Sequence, residues 1–211
     1  MKTLPSRERG HPGHPGPLYA DRMGALDDGE RVTAADAAHW RTWMAEHHET
    51  ATGVWLLHVR RRDQNGVSYD DAVRQALCFG WIDGPVRTFD DGSVGQWFSP
   101  RRRGSGWAAT NKVRIAELEA AGMLAPAGIR VIEAAKADGS WSVLDGPEAG
   151  VEPDDFAAAL DAVPAARENW DAFPPSAKKL GLTNIAMAKR AETRASRIAK
   201  LVADAAVGTR P

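Results

Sequence analysis

Residues 76–87 read ALCFGWIDGPVR and set the chain's single cysteine beside an indole, a carboxylate and a guanidinium. A catalytic cysteine needs a nearby base and usually a helix N-terminus to lower its pKa. Cys78 instead falls just before Gly80, the natural stop of the preceding helix, where the helix dipole disfavours a thiolate. A small core hydrophobe is the expectation, even with His58 on the preceding strand as a neighbour.

Read as a strand, residues 81–89 put Trp81, Asp83, Arg87 and Phe89 on one face and Ile82, Val86 and Thr88 on the other. Pro85 marks a bulge or an edge, so the register is open to a slip of one after Gly84. An acid and a base beside an indole suit a polar ligand; they equally suit a half-buried ion pair at a sheet end.

The second stretch, FSPRRRGSGWAATNK, concentrates Arg101 to Arg103 before two permissive glycines and the start of a helix, whose free N–H groups favour an anion. Trp107, Asn111, Ile115 and Leu118 form one helical stripe, which turns Asn111 inward to fasten the loop backbone or to meet a ligand. The glycine spacing is not that of a phosphate-binding P-loop. Together with Tyr69 of the helix before Gly80, these stretches define a candidate anion-accepting site of Tyr69, Trp81, Asp83, Arg87, Arg101, Trp107 and Asn111. Arg101 closes it from a solvated loop, and Asp83 holds an arginine whose other donors face the ligand. No catalytic residue is assigned. No metal or cofactor is expected, since one cysteine excludes a Cys-based zinc site and prolines keep the histidines of GHPGHPG off a common helical face.

The elements that must position these groups follow from periodicity. Thr33 is the N-cap candidate for a helix over about 34–48, and GVWLLHVRR is a central strand covered on both faces. Tyr69, Val73, Ala76 and Leu77 stripe a second helix, followed by strands from Trp81 and through Val94–Ser99 joined at Asp91-Gly92. Two helices come next. After the stop signals DGSW and DGPEAGVEP, a strand-free tail has helices starting near Pro153, Pro164, Pro174 and Glu192. The expected fold is α+β: a small, mainly antiparallel three-stranded sheet with packed helices and an all-helical C-terminal segment. Residues 1–20 read as a flexible lead, 21–145 as the α+β core, and 146–211 as a helical segment of the same domain or a small subdomain.

At 211 residues and 43% hydrophobic, the chain can bury a sizeable core. Its 27 basic and 28 acidic residues leave a net charge of −1, which predicts no general attraction to nucleic acid. Eight tryptophans beside arginines suit base stacking, but most fall on apolar stripes, so core packing is the expectation. No stretch approaches the roughly 20 apolar residues of a membrane span, and the N-terminus lacks a signal's apolar core, so a cytoplasmic protein is expected. Near the C-terminus Arg190, Arg194 and Arg197 form a row that reads as a solvated face or a docking surface for an acidic partner.

YDDAVRQALCFGWIDGPVR, FSPRRRGSGWAATNKVRIAELEAAGMLAPAGIRVIEAAKADGSW and AKRAETRASRI resemble the bacterial YdeI/OmpD-associated family, also called bacteriocin-protection proteins, over about residues 40–202. The WIDG, SPR, NK and TRxxRI elements occur in the family's order. Ser99 stands where Thr is usual, and Ala191 replaces a common proline. The resemblance implies a link to tolerance of bacteriocins or cationic antimicrobial peptides through envelope proteins, and supplies no catalytic reaction. A non-enzymatic binding or stress-tolerance protein with a small anionic ligand is the first reading. An enzyme using Asp83 as acid or base and Arg101 as anion clamp is the second, and a nucleic-acid binder the third.

Overall fold

The computed structural model describes residues 29–58 and 66–211. The lead, with its GHPGHPG, and most of the turn after β2 lie outside the described residues.

Four strands, not three, form the sheet: β1 (Arg31–Thr33), β2 (Val54–His58), β3 (Trp81–Thr88) and β4 (Val94–Pro100), in the order β1-β2-β4-β3. β2–β4 and β3–β4 are antiparallel, whereas β1 lies parallel to β2. A three-residue strand is too short to carry a period-two signal. It forms because helix α1 (Ala37–His47) crosses back over the sheet and delivers β2 beside it. Thr33 is therefore the end of β1, and the cap of α1 is Asp36, whose carboxylate accepts from the His39 N–H at 2.9 Å.

β2 has both faces covered, as its unbroken apolar run requires. Val54 and Leu56 face a core built with Trp40, Met44, Ala72, Leu77, Trp81, Phe98 and Trp107. Trp55 and Leu57 face the other way, where Trp55 meets Phe89 and Trp97 edge-on at 5.3 and 5.2 Å between ring centroids. Five of the eight tryptophans rank among the largest fully buried side chains, so core packing is their main role.

Helix α2 (Tyr69–Cys78) starts at Ser68, whose hydroxyl accepts from the Asp71 N–H, and stops at Gly80, where φ is +77°. α3 (Ala109–Ala120) and α4 (Pro126–Ala137) complete the first core. The second stop signal holds a short helix of its own, α5 (Asp145–Ala149), ended by Gly150 at φ +71°. Then come α6 (Asp154–Asp161), α7 (Pro164–Ala172), α8 (Pro175–Ala186) and α9 (Ala191–Ala206). Pro153 and Pro174 are N-caps, and Pro164 and Pro175 open their helices, where a missing N–H costs nothing. α6–α9 gather a separate cluster around Phe156, Leu160, Trp170, Leu182 and Ile198.

Candidate functional site

The candidate site begins at the junction of α2 and β3. Trp81 is buried and its Nε1–H donates to the His48 carbonyl at 3.2 Å, so the indole is fixed and its one donor used. Asp83 lies opposite Phe98 on the core side of the sheet, and the Tyr69 hydroxyl, arriving from α2, donates to its Oδ2 at 2.8 Å. Burial, then the Asp83 carboxylate, pushes the Tyr69 phenol up, which keeps the proton on Tyr69.

The bulge is real and it removes Arg87 from the site. Asp83 pairs with Phe98 and Val86 with Gln96, so β3 carries one residue more than β4 across this step. The buried Gln96 side chain donates to the Gly84 carbonyl at 2.5 Å, satisfying the bulged backbone. Beyond it the faces exchange. Arg87 stands opposite Gly95, with its guanidinium 5.3 Å from the Phe89 ring, on the face of the sheet away from Asp83.

Arg101 does arrive. Its N–H donates to the Gly80 carbonyl at 3.0 Å, stitching the end of β4 to the residue before β3. It is not solvated as expected: its guanidinium lies 3.7 Å from the Trp107 ring centroid, and Nη2 donates to the Gly106 carbonyl at 2.7 Å. Nε is enclosed without a hydrogen-bond partner among the described residues. Burial pulls its pKa down to about 10, against the opposing pull of Asp83. For a group that stays protonated in proteins, this measures how much water the charge has lost.

Asn111 is half-buried and fastens an arginine rather than the loop backbone. Its Oδ1 accepts from Arg114 Nη1 at 2.8 Å, and Arg114 also grips Asp70 Oδ1 through Nε and Nη2 at 2.9 and 2.8 Å. Arg74 holds the other Asp70 oxygen at 2.6 Å and reaches Glu117. This lattice beside Tyr69 was missed in the sequence, where only the Asp70/Arg74 spacing of four hinted at it.

The start of α3 is met by a carboxylate of the protein itself. α3 has no side-chain cap from its own N-cap, Ala108; instead Glu148 of α5 accepts from the Ala109 N–H at 2.7 Å. Cys78 is fully buried with its thiol pushed up by that burial, as a core residue should be. The His58 side chain is outside what the structure describes. Among the described residues no three His, Cys, Asp or Glu side chains gather to hold a metal, and no helix is long and apolar enough to cross a membrane.

The C-terminal basic row stays on the surface, with Arg190 exposed, and two of its members also bond to neighbouring helices. Arg194 forks onto Asp155 of α6, with Nε–Oδ2 and Nη2–Oδ1 both 2.7 Å, and Arg197 donates to the Asn184 carbonyl near the end of α8. The TRASRI motif is thus a clamp on three helices, with Ile198 in their core. Beside it an open groove of about 700 Å³ runs between α6 and α9, floored by Ala159, Ala195, Ile198, Ala199 and Val202. Nothing in the sequence reading pointed to this groove, since alanines leave only a weak periodic signal.

These features define an α+β protein whose sheet core and helical C-terminal part keep separate apolar clusters. Residues 150–208 match the family described as bacteriocin-protection, YdeI or OmpD-associated, so the chain carries the segment its TRxxRI motif indicated. Residues 32–131, where WIDG and SPR lie, match instead a domain of unknown function (DUF8412). No curated protein and no solved structure gives a significant match.

Proposed function

We propose that the protein is a non-enzymatic binding protein of the bacterial cytoplasm, contributing to tolerance of bacteriocins or cationic antimicrobial peptides, with a small anionic metabolite held at Arg101. The biological setting comes from the bacteriocin-protection description of residues 150–208, and an envelope-associated protein is the partner that description favours. The observation that carries the ligand is the Arg101 guanidinium, largely stripped of water, with one donor on Gly106 and Nε unmatched. A guanidinium that has lost most of its water with so few donors matched costs stability, and a carboxylate or phosphate oxygen at its outer nitrogens relieves that cost with a charge-assisted hydrogen bond. Binding rather than catalysis is supported by how the reactive groups are occupied. Asp83 accepts from Tyr69, Asp70 is held between two arginines, and Cys78 is buried at a helix C-terminus.

The test is a thermal-shift screen of carboxylated and phosphorylated metabolites against wild type and Arg101→Lys, which keeps a charge and loses the planar fork. A ligand at about a hundred times its Kd adds roughly 2.7 kcal/mol, a rise in Tm of several degrees. The expected result is a rise in wild type that the variant lacks. A panel that shifts both proteins equally sinks the Arg101 site. In a susceptible bacterium, expression of wild type and not of Arg101→Lys should raise survival against a cationic peptide.

A further inference from the structure

On the outer side of the Arg101–Gly106 loop, two basic segments far apart in the sequence meet. Lys189, in the turn between α8 and α9, sets its ammonium on Gly104: a Cβ built there would stand 2.6 Å from Lys189 Nζ. Gly104 also has φ +73°, so both the backbone and the space favour glycine. Arg103 projects beside it with its side chain 86% exposed, and Arg102 is exposed as well. The N–H groups of Arg103 and Gly104 have no acceptor among the described residues.

One carboxylate answers these charges. Asp138 Oδ2 lies 3.7 Å from Arg103 Nε, while its Oδ1 is taken by the N–H and hydroxyl of Ser140 at 3.0 and 2.6 Å. The Asp138 carboxyl is held below its ordinary range first by Ser140, then by the nearby charges of Arg103 and Lys189. Two cations, Arg103 and Lys189, share this one carboxylate, which leaves a local excess of positive charge and donors with room to turn outward. Two basic side chains and adjacent free N–H groups suit a compact, multiply charged anion better than a single planar carboxylate.

We infer that Arg103, Gly104 and Lys189 form a second anion site, for a phosphate monoester, at the seam between the α+β core and the C-terminal helices. It does not depend on the Arg101 reading, because it uses none of the groups that hold Arg101, whose guanidinium lies on Trp107 and the Gly106 carbonyl. A phosphate here touches both parts of the chain at once and ties α9 to the loop after β4.

The experiment is titration of inorganic phosphate, then glycerol phosphate, into the full chain at constant ionic strength, with chloride as the reference anion. Lys189→Ala and Arg103→Ala should each weaken phosphate binding about tenfold or more, the scale of a hydrogen bond to a charged group. Phosphate binding that both seam variants keep at wild-type strength belongs to Arg101 and not to this seam, which keeps the two sites distinguishable. Co-sedimentation with phosphatidic-acid vesicles assigns the phosphate to a lipid headgroup, and its absence to a soluble ester. Wild type that binds neither phosphate probe nor the vesicles, or a Lys189→Ala variant that binds as tightly as wild type, overturns the proposal.

Discussion

Arg101 ties together three things at once: the end of β4 through its N–H, the Gly106 carbonyl through Nη2, and the Trp107 face through its planar cation. Arg101→Ala should therefore lower stability by about 1–3 kcal/mol, from the lost cation–π contact and an unpaired, partly buried carbonyl, measurable by urea unfolding. A loss within error would mean that the guanidinium is held no more firmly than a surface side chain. Cys78 gives a second test at this scale. Its thiol is fully buried and pushed up by that burial, so a thiol reagent must wait for the chain to open. Native labelling should be at least about a thousandfold slower than labelling of the unfolded chain, in line with ordinary domain stability. Rapid native labelling would instead place Cys78 at an accessible, reactive site.

Between elements, close approach is set by small residues. α4 packs its first turn on the end of α2, where the Ala125 N–H donates to the Cys78 carbonyl and a Cβ on Gly128 would collide with that same oxygen. Gly128→Ala should push α4 outward and cost about 1–3 kcal/mol, read as a lower Tm. The clamp between α9 and α6 is electrostatic. Hydrogen bonds from Arg194 hold the Asp155 carboxyl below its ordinary range, so the folded state binds that proton less readily than the unfolded chain. The stabilisation is present above the unfolded carboxylate pKa of about 4 and is lost as pH falls through the lower folded value. Asp155→Asn should cost up to about 1 kcal/mol at neutral pH, since the pair is half exposed, and the gap from wild type should close at strongly acid pH. Urea midpoints that differ equally at pH 7 and pH 2 would show that the pair is not the cause.

Across the whole molecule, two apolar clusters meet through polar contacts. Glu148 caps α3 with one oxygen and takes Lys179 of α8 with the other at 3.1 Å, Asp145 pairs with Lys112, and Leu144 packs over Gly106. Glu148→Ala should cost about 1–2 kcal/mol, the scale of a lost N-cap. Its mark should be faster amide exchange in the first turn of α3 and in α8, with the protection of β2 and β4 unchanged. Loss of protection spread evenly over the sheet would mean that the two clusters unfold as one.

Local chemistry was enough to foresee much of this protein. The tail helices start where prolines fix φ and forgo an N–H, the β3–β4 hairpin turns at Asp91-Gly92, and Cys78 is buried because it ends an apolar helix before a glycine. Each of these depends on residues within a turn or two of one another. Of the candidate site two pairings are present, Tyr69 on Asp83 and Arg101 on Trp107. What the sequence could not decide were partners chosen across long separations. β1 forms only because β2 offers it an edge. The bulge at Gly84 and Pro85 reverses the face of Arg87 because every side chain beyond an extra residue changes sides. The anion at α3 is Glu148, Asn111 answers to Arg114, and Lys189 rests on Gly104, pairings fixed by packing that no spacing records. A helix terminus in the sequence announces its need for a negative charge, and only the tertiary structure supplies the carboxylate that meets it.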